Sequence, residues 1–280
     1  MSTHFLVVSN PPHGTVDAAG AAAHFGLTPA EARMKANFPA PEIWLAGSDR
    51  RRMEAVQSAL GDCGLSTVVI AGQDLVTVPE RKVVQSFSME DSCIAMRSGE
   101  GEFTVDYDAP VAGVYCKPAA DVFMGGRKGA DLAGDLGRPS SSVMLDRMSR
   151  SGSSGAIQSE TAAEAFLDLF APLNGGEARW SLIAGATDFS SLQSVGRDPL
   201  HALVTECERA FSALSLDRRL ENVRVRARVV VGQLSAHQEQ RKLFSFGSLA
   251  LAKLLDEISP DLHDLTQSEL GSRLSYLMRP

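Results

Sequence analysis

Apolar residues fall into short, separated runs along this chain, and the spacing inside each run predicts its element. Phe5-Leu6-Val7-Val8 reads as a short buried strand, and Asn10-Pro11-Pro12-His13-Gly14 ends it, because prolines remove backbone donors and force a loop. The alanine-rich residues 16–25 have strong helix propensity, and Gly26 follows them as a stop. Thr28, Pro29 and Glu31 occupy the N-cap, N1 and N3 positions of a capping box, which starts a helix to about Asn37. Ile43-Trp44-Leu45-Ala46 is a second strand. Ser48 or Asp49 then caps a helix to Leu60 on which Met53, Val56 and Leu60 form one apolar stripe. Gly64 breaks the chain before Thr67-Val68-Val69-Ile70, a third strand. The predicted order over residues 1–75 is β-α-α-β-α-β.

The pattern then changes. Residues 83–89, 93–96, 103–107 and 111–116 are strand-like runs separated by tight polar or glycine turns, the signature of an antiparallel sheet. From Gly125 to Gly155, 7 of 31 residues are Gly and 7 are Ser, with no apolar periodicity. Such a stretch cannot bury enough apolar surface to offset chain ordering, and a flexible insertion over residues 120–158 is predicted. Inside it Met144, Leu145 and Met148 cluster behind a run of serines, either a short docking motif or a transient turn in a linker. Residues 165–170 and 180–183 resume as a hairpin, with 187–192 as a further strand or its end. Asp198 and Pro199 then start a helix with Leu200, Leu203, Val204, Cys207 and Phe211 on one face. The β-rich region thus spans 81–215, and residues 216–280 form a basic strand and helical tail.

In that tail Arg218, Arg219, Arg224, Arg226 and Arg228 make an arginine stripe able to grip phosphate groups, with acidic residues interleaved. Two helices follow it. One carries Leu251 and Leu255 and ends at Pro260; the other has Thr266 as N-cap, Glu269 at N3, and Leu270, Leu274 and Leu277 at i, i+4, i+7. Helices of this length are marginal alone in water. Their leucine stripes predict self-association of two copies in preference to docking within the chain.

Charge and composition remove several function classes. The excess of 34 acidic over 27 basic residues, a net charge of −7, argues against coating nucleic acid or an anionic membrane. No apolar run approaches the roughly 20 residues of a membrane-crossing helix. The N-terminus has neither the basic region nor the cleavage site of a secretory signal, so the expected location is cytoplasmic. The four cysteines stand 30, 23 and 91 positions apart and the six histidines are scattered, so no metal site and no cofactor are expected. No phosphate-binding glycine loop and no Gly-x-Ser-x-Gly nucleophile elbow occur. Asp188-Phe189-Ser190 matches part of a cyclic di-GMP motif whose arginine partner has no counterpart upstream.

The β-α-α-β-α-β order, with Gly26, Leu27, Glu31 and Ala32 between its first two helices, resembles the fold shared by ClpS and the C-terminal domain of the ribosomal stalk protein. In ClpS an Asn-Asp pair and a later His grip a substrate's α-amino group. Asn10 matches the first of these, Pro11 stands at the second, and no His lies between Phe25 and His201. The resemblance therefore implies the fold without that capture chemistry. Strands followed by one amphipathic helix over 81–215 are similar in outline to a pleckstrin-homology-like domain. The fold class expected is α+β, a small split β-α-β module plus an antiparallel β-rich domain with a helical tail. The expected function is non-enzymatic protein–protein interaction, an adaptor or scaffold contacted through Asn10, the Met144 cluster or the tail leucines. The alternatives are a phospholipid- or nucleotide-sensing domain using the arginine stripe, and an enzyme with no local motif.

Overall fold

The structure, a computed structural model, describes residues 3–10, 15–24, 28–36, 39–117, 165–173, 176–192, 198–221, 255–259, 262, 265 and 267–279. Side chains alternate across a strand, and β1 (His4–Ser9) is buried on both faces because both sets are apolar. Leu6 and Val8 point to one side, into a cluster with Ala21, Trp44, Leu60 and Leu65. Phe5 and Val7 point to the other, against Ile70, Leu75, Leu255, Leu262 and Leu274. β1 is accordingly the middle strand, with β2 (Glu42–Gly47) and β3 (Ser66–Ala71) antiparallel on either side. Helices α1 (Ala18–Ala23), α2 (Pro29–Ala36) and α3 (Arg50–Asp62) lie between these strands in sequence. Asp17 and Asp49 accept N-cap hydrogen bonds at the starts of α1 and α3. A short helix that the pattern did not announce, α4 (Gly72–Thr77), follows β3, and Asp74 accepts from the Ala71 amide at 2.7 Å.

The second sheet has seven strands in the order β10-β7-β8-β9-β4-β5-β6. It contains two antiparallel meanders, β4 (Arg81–Met89), β5 (Cys93–Ser98) and β6 (Gly101–Asp106), then β7 (Val111–Lys117), β8 (Phe166–Leu173) and β9 (Gly176–Ile183). The meanders join through a parallel pairing of β4 with β9. β10 (Leu214–Glu221) returns after helix α5 (Pro199–Ala210) to lie parallel to β7. The sheet is thus mixed where a purely antiparallel one was expected, because the crossover through α5 brings the chain back in the same direction. β7 and β8 are hydrogen-bonded neighbours although 47 residues separate Lys117 from Ala165, so both β segments share one sheet. The expected flexible insertion, with Met144, Leu145 and Met148, lies outside the described residues.

One face of this sheet packs on α5. Leu200, Leu203, Val204, Cys207 and Phe211 meet Tyr115, Leu167, Trp180 and Leu182. Residues 187–192 do not form the strand expected there. Thr187 Oγ1 accepts from the Ile183 amide at 2.9 Å and donates to the Val84 carbonyl at 2.7 Å, which turns the chain at once. The other face carries Val114, Cys116, Phe166, Phe170 and Leu220 and meets the last helix, α6 (Gln267–Leu277).

α6 lies between the two sheets. Its leucine side reaches the Phe5–Val7 face of the small sheet, where Leu274 is 2% exposed. A side of small residues faces the large sheet, where a Cβ added at Gly271 would stand 3.0 Å from Leu220 Cδ2. This packing covers the second face of the small sheet, and the described leucines of the tail pack within the chain, Leu255 and Leu274 buried and Leu270 and Leu277 half-buried. The molecule is α+β, and among the described residues no helix is long and apolar enough to cross a membrane.

Candidate functional site

Two polar features flank α6. The first is a buried seam centred on Asp168, which alternates on β8 with Phe166 and Phe170 and so faces α6. Its carboxylate accepts from Arg179 Nε at 3.1 Å and Nη2 at 2.7 Å, from Ser181 Oγ, and from Ser272 Oγ of α6 at 2.5 Å. Arg81 Nε donates to Ser181 Oγ at 2.9 Å and stands 3.8 Å from Asp168. Arg81 and Arg179 are opposite each other on β4 and β9, and their guanidinium groups lie 4.4 and 5.6 Å from the Phe166 and Phe170 rings. Arg273 of α6 donates to the Leu75 carbonyl at 2.8 Å. Burial, reinforced by the charge of Arg179, holds the Arg273 guanidinium below its ordinary pKa.

The second feature is a groove of about 620 Å³, within the range of roughly 300–1,000 Å³ usual for ligand sites. β7 and β10 contribute Ala112, Ser215 and Asp217 to it, the small-sheet side contributes Asn10, and α6 contributes Ser275 and Tyr276. Asn10 Oδ1 is buried and has no hydrogen-bond partner. A bulge in β10 shapes the groove: Asp217 pairs with Val114 but Leu220 with Cys116, so two residues oppose Tyr115. Bulges re-aim side chains. Arg218 projects over the Tyr115 ring at 5.8 Å, whereas Arg219 and Leu220 both turn toward α6 and the small sheet.

The two arginines are already paired. Arg218 donates to Glu208 at 2.7 Å and to Glu221 at 3.2 Å, and Arg219 holds Asp217 at 2.6 Å and Ser9 Oγ at 2.7 Å. Burial pushes the Asp217 carboxyl up, but the Arg219 donors outweigh it and leave the group below its ordinary range. At the end of α6, Arg279 donates to both oxygens of Glu177 at 2.8 and 3.0 Å, stacks 3.9 Å from the Tyr276 ring, and Tyr276 also donates to Glu177.

Of the residues singled out in the sequence, the structure brings Asn10, Arg218 and Arg219 to one groove. Leu255 and Leu274 are buried and Leu270 and Leu277 half-buried in the chain's own core. Arg224, Arg226, Arg228 and Leu251 lie outside the described residues. Sequence reasoning missed Asp168, Arg179 and Arg81. A signal was present, since Asp168 is in phase with two buried phenylalanines, and Arg179 and Ser181 alternate with Trp180 and Leu182. The four cysteines are free and buried. Burial pushes the Cys116 and Cys207 thiols up to about 12, far from a thiolate nucleophile at neutral pH. Among the described residues no group of His, Cys, Asp and Glu is placed to hold a metal ion. No family model, curated protein or solved structure matches the chain.

Proposed function

We propose that this chain is a non-enzymatic interaction protein of the cytoplasm, an adaptor or scaffold whose docking place is the groove beside β10. The groove is the observation that carries the reading, because it is built from three separate parts of the chain and is large enough for a segment of a partner. The helices of the N-terminal module are a poorer choice. Among the described residues Val83 alone is a large apolar side chain left exposed, so those helices offer no apolar patch. The strand order around β1 supports reading residues 1–75 as a ClpS/stalk-like module, and a sheet packed on α5 supports a pleckstrin-homology-like outline for the rest. The occupant that suits the groove is a short peptide segment lying across it rather than a strand added to β10. The β10 edge carries a bulge and four charged side chains, Asp217, Arg218, Arg219 and Glu221, devices that discourage strand pairing.

The test is retention of a stoichiometric protein partner by the full chain, compared with a Ser215→Trp variant. Ser215 is exposed, so a tryptophan there fills the groove without disturbing the core. Loss of the partner with an unchanged melting curve supports the reading; undiminished retention rejects the groove. A second reading, a phospholipid- or nucleotide-sensing domain, is favoured by the presence of Arg218 and Arg219 in the groove. It requires retention on liposomes or nucleotide that is lost in Arg218→Ala.

A further inference from the structure

Counted over the described residues, the seam under α6 holds more positive than negative charge, and its donors are not all used. Arg81, Arg179 and Arg273 converge there from β4, β9 and α6, while Asp168 and Glu269 are the carboxylates they meet. Arg81 Nη2, Arg179 Nη1 and Arg273 Nε are buried without a hydrogen-bond partner. Glu269 Oε1 stays 3.9 Å from both Arg179 Nη1 and Arg273 Nη2, within ion-pair range but beyond a hydrogen bond. Arg179 is fully buried and Arg273 is 9% exposed. Glu80, which also acts on Arg273, is exposed to solvent and compensates it weakly.

Uncompensated buried charge is costly, and most groups escape the cost by becoming neutral. A lysine or a carboxylic acid has that route. A guanidinium does not, because it stays protonated at any ordinary pH. Among the described residues no carboxylate besides Asp168 and Glu269 stands within ion-pair range of these three arginines, and a bound anion would compensate the excess. We propose that the seam between α6 and the large sheet is a binding site for a small inorganic anion, a halide or an oxyanion, held by Arg81, Arg179 and Arg273. The unsatisfied donors belong to three different elements, so the anion ties α6 to β4 and β9. Entry is from the rim at which Arg81 and Glu269 keep part of their surface in solvent, with side-chain exposures of 16% and 20%.

The experiment is thermal unfolding of the full chain in sodium chloride, sodium phosphate and sodium gluconate at one ionic strength. A ligand that binds only the folded state raises the midpoint with its concentration and saturates. The expected result is a midpoint several degrees higher in chloride or phosphate than in gluconate, and the better of the two names the anion. Arg273→Gln should remove most of that difference. Glu269→Gln takes away a carboxylate that repels the anion, so it should bring half-saturation at a concentration several-fold lower. Arg51→Gln, at the exposed start of α3, should behave as the parent chain. Equal midpoints in the three salts overturn the proposal, and so does a Glu269→Gln variant whose anion dependence is unchanged. These readings stand even where Arg273→Gln fails to fold.

Discussion

Asp168 is a single carboxylate to which β9 and α6 both donate, and its loss strands charge instead of merely deleting a contact. Breaking a buried ion pair by removing one partner costs about 3–5 kcal/mol, because the other charge stays buried. Asp168→Ala should therefore cost that much in urea unfolding, since Arg179 has no route to solvent. Ser272→Ala removes one hydrogen bond to a charged group and should cost about 1.5–3 kcal/mol. A cost under about 1 kcal/mol for Asp168→Ala would show that the seam relaxes around the vacancy. Glu177 gives a different signature, one that depends on pH. The Arg279 donors, aided by Tyr276, hold its carboxyl below the ordinary 4.5. A folded value below the unfolded one contributes stability that is complete above the ordinary range and is lost as pH falls through the folded value. The melting midpoint should drop on acidification below about pH 5, and Glu177→Gln should show a shallower drop. Parallel acid limbs in the two proteins would exclude this carboxylate as a contributor.

At the scale of elements, α6 shows what the pattern revealed and what it hid. Leu270, Leu274 and Leu277 announced a buried face. Ser268, Gly271, Ser272 and Ser275 recur at i, i+3, i+4, i+7 as well, but small polar residues at that spacing read as a solvated side. Only the sheet they meet makes them interior, and its Asp168 and Ser181 come from strands that sequence spacing cannot bring together. β10 was hidden for a related reason: its bulge is fixed by pairing with β7, which is distant in sequence. Strands 1 to 3 and α3 were legible because each carries its own period and a cap. The close contact of Gly271 with Leu220 is testable on its own. Gly271→Val should destabilise by about 1–3 kcal/mol through overpacking, and Leu220→Ala in the same chain should recover part of it. Strict additivity of the two changes would place the strain elsewhere.

For the whole molecule the question is what makes two sheets one folding unit. Residues 1–119 and 163–280 belong to one compact unit, yet their strands form two separate sheets. Their common layer is the C-terminal part of the chain. Phe5, Val7, Ile70 and Leu75 on one side are covered by Leu255, Leu262 and α6, and Phe166, Phe170 and Asp168 on the other by α6. Burying Leu255, Leu262 and Leu274 alone contributes about 5–9 kcal/mol at 1.5–3 kcal/mol per side chain. Whole domains are stable by only about 5–15 kcal/mol. A chain ending at Ala236 should consequently lose its single cooperative transition and bind a hydrophobic dye at neutral pH. Adding residues 262–280 as a separate peptide should restore part of the transition, since both faces that receive α6 remain. If the shortened chain instead melts sharply at the parent's temperature, the sheets are joined by contacts other than α6, and its leucines are free for a partner after all.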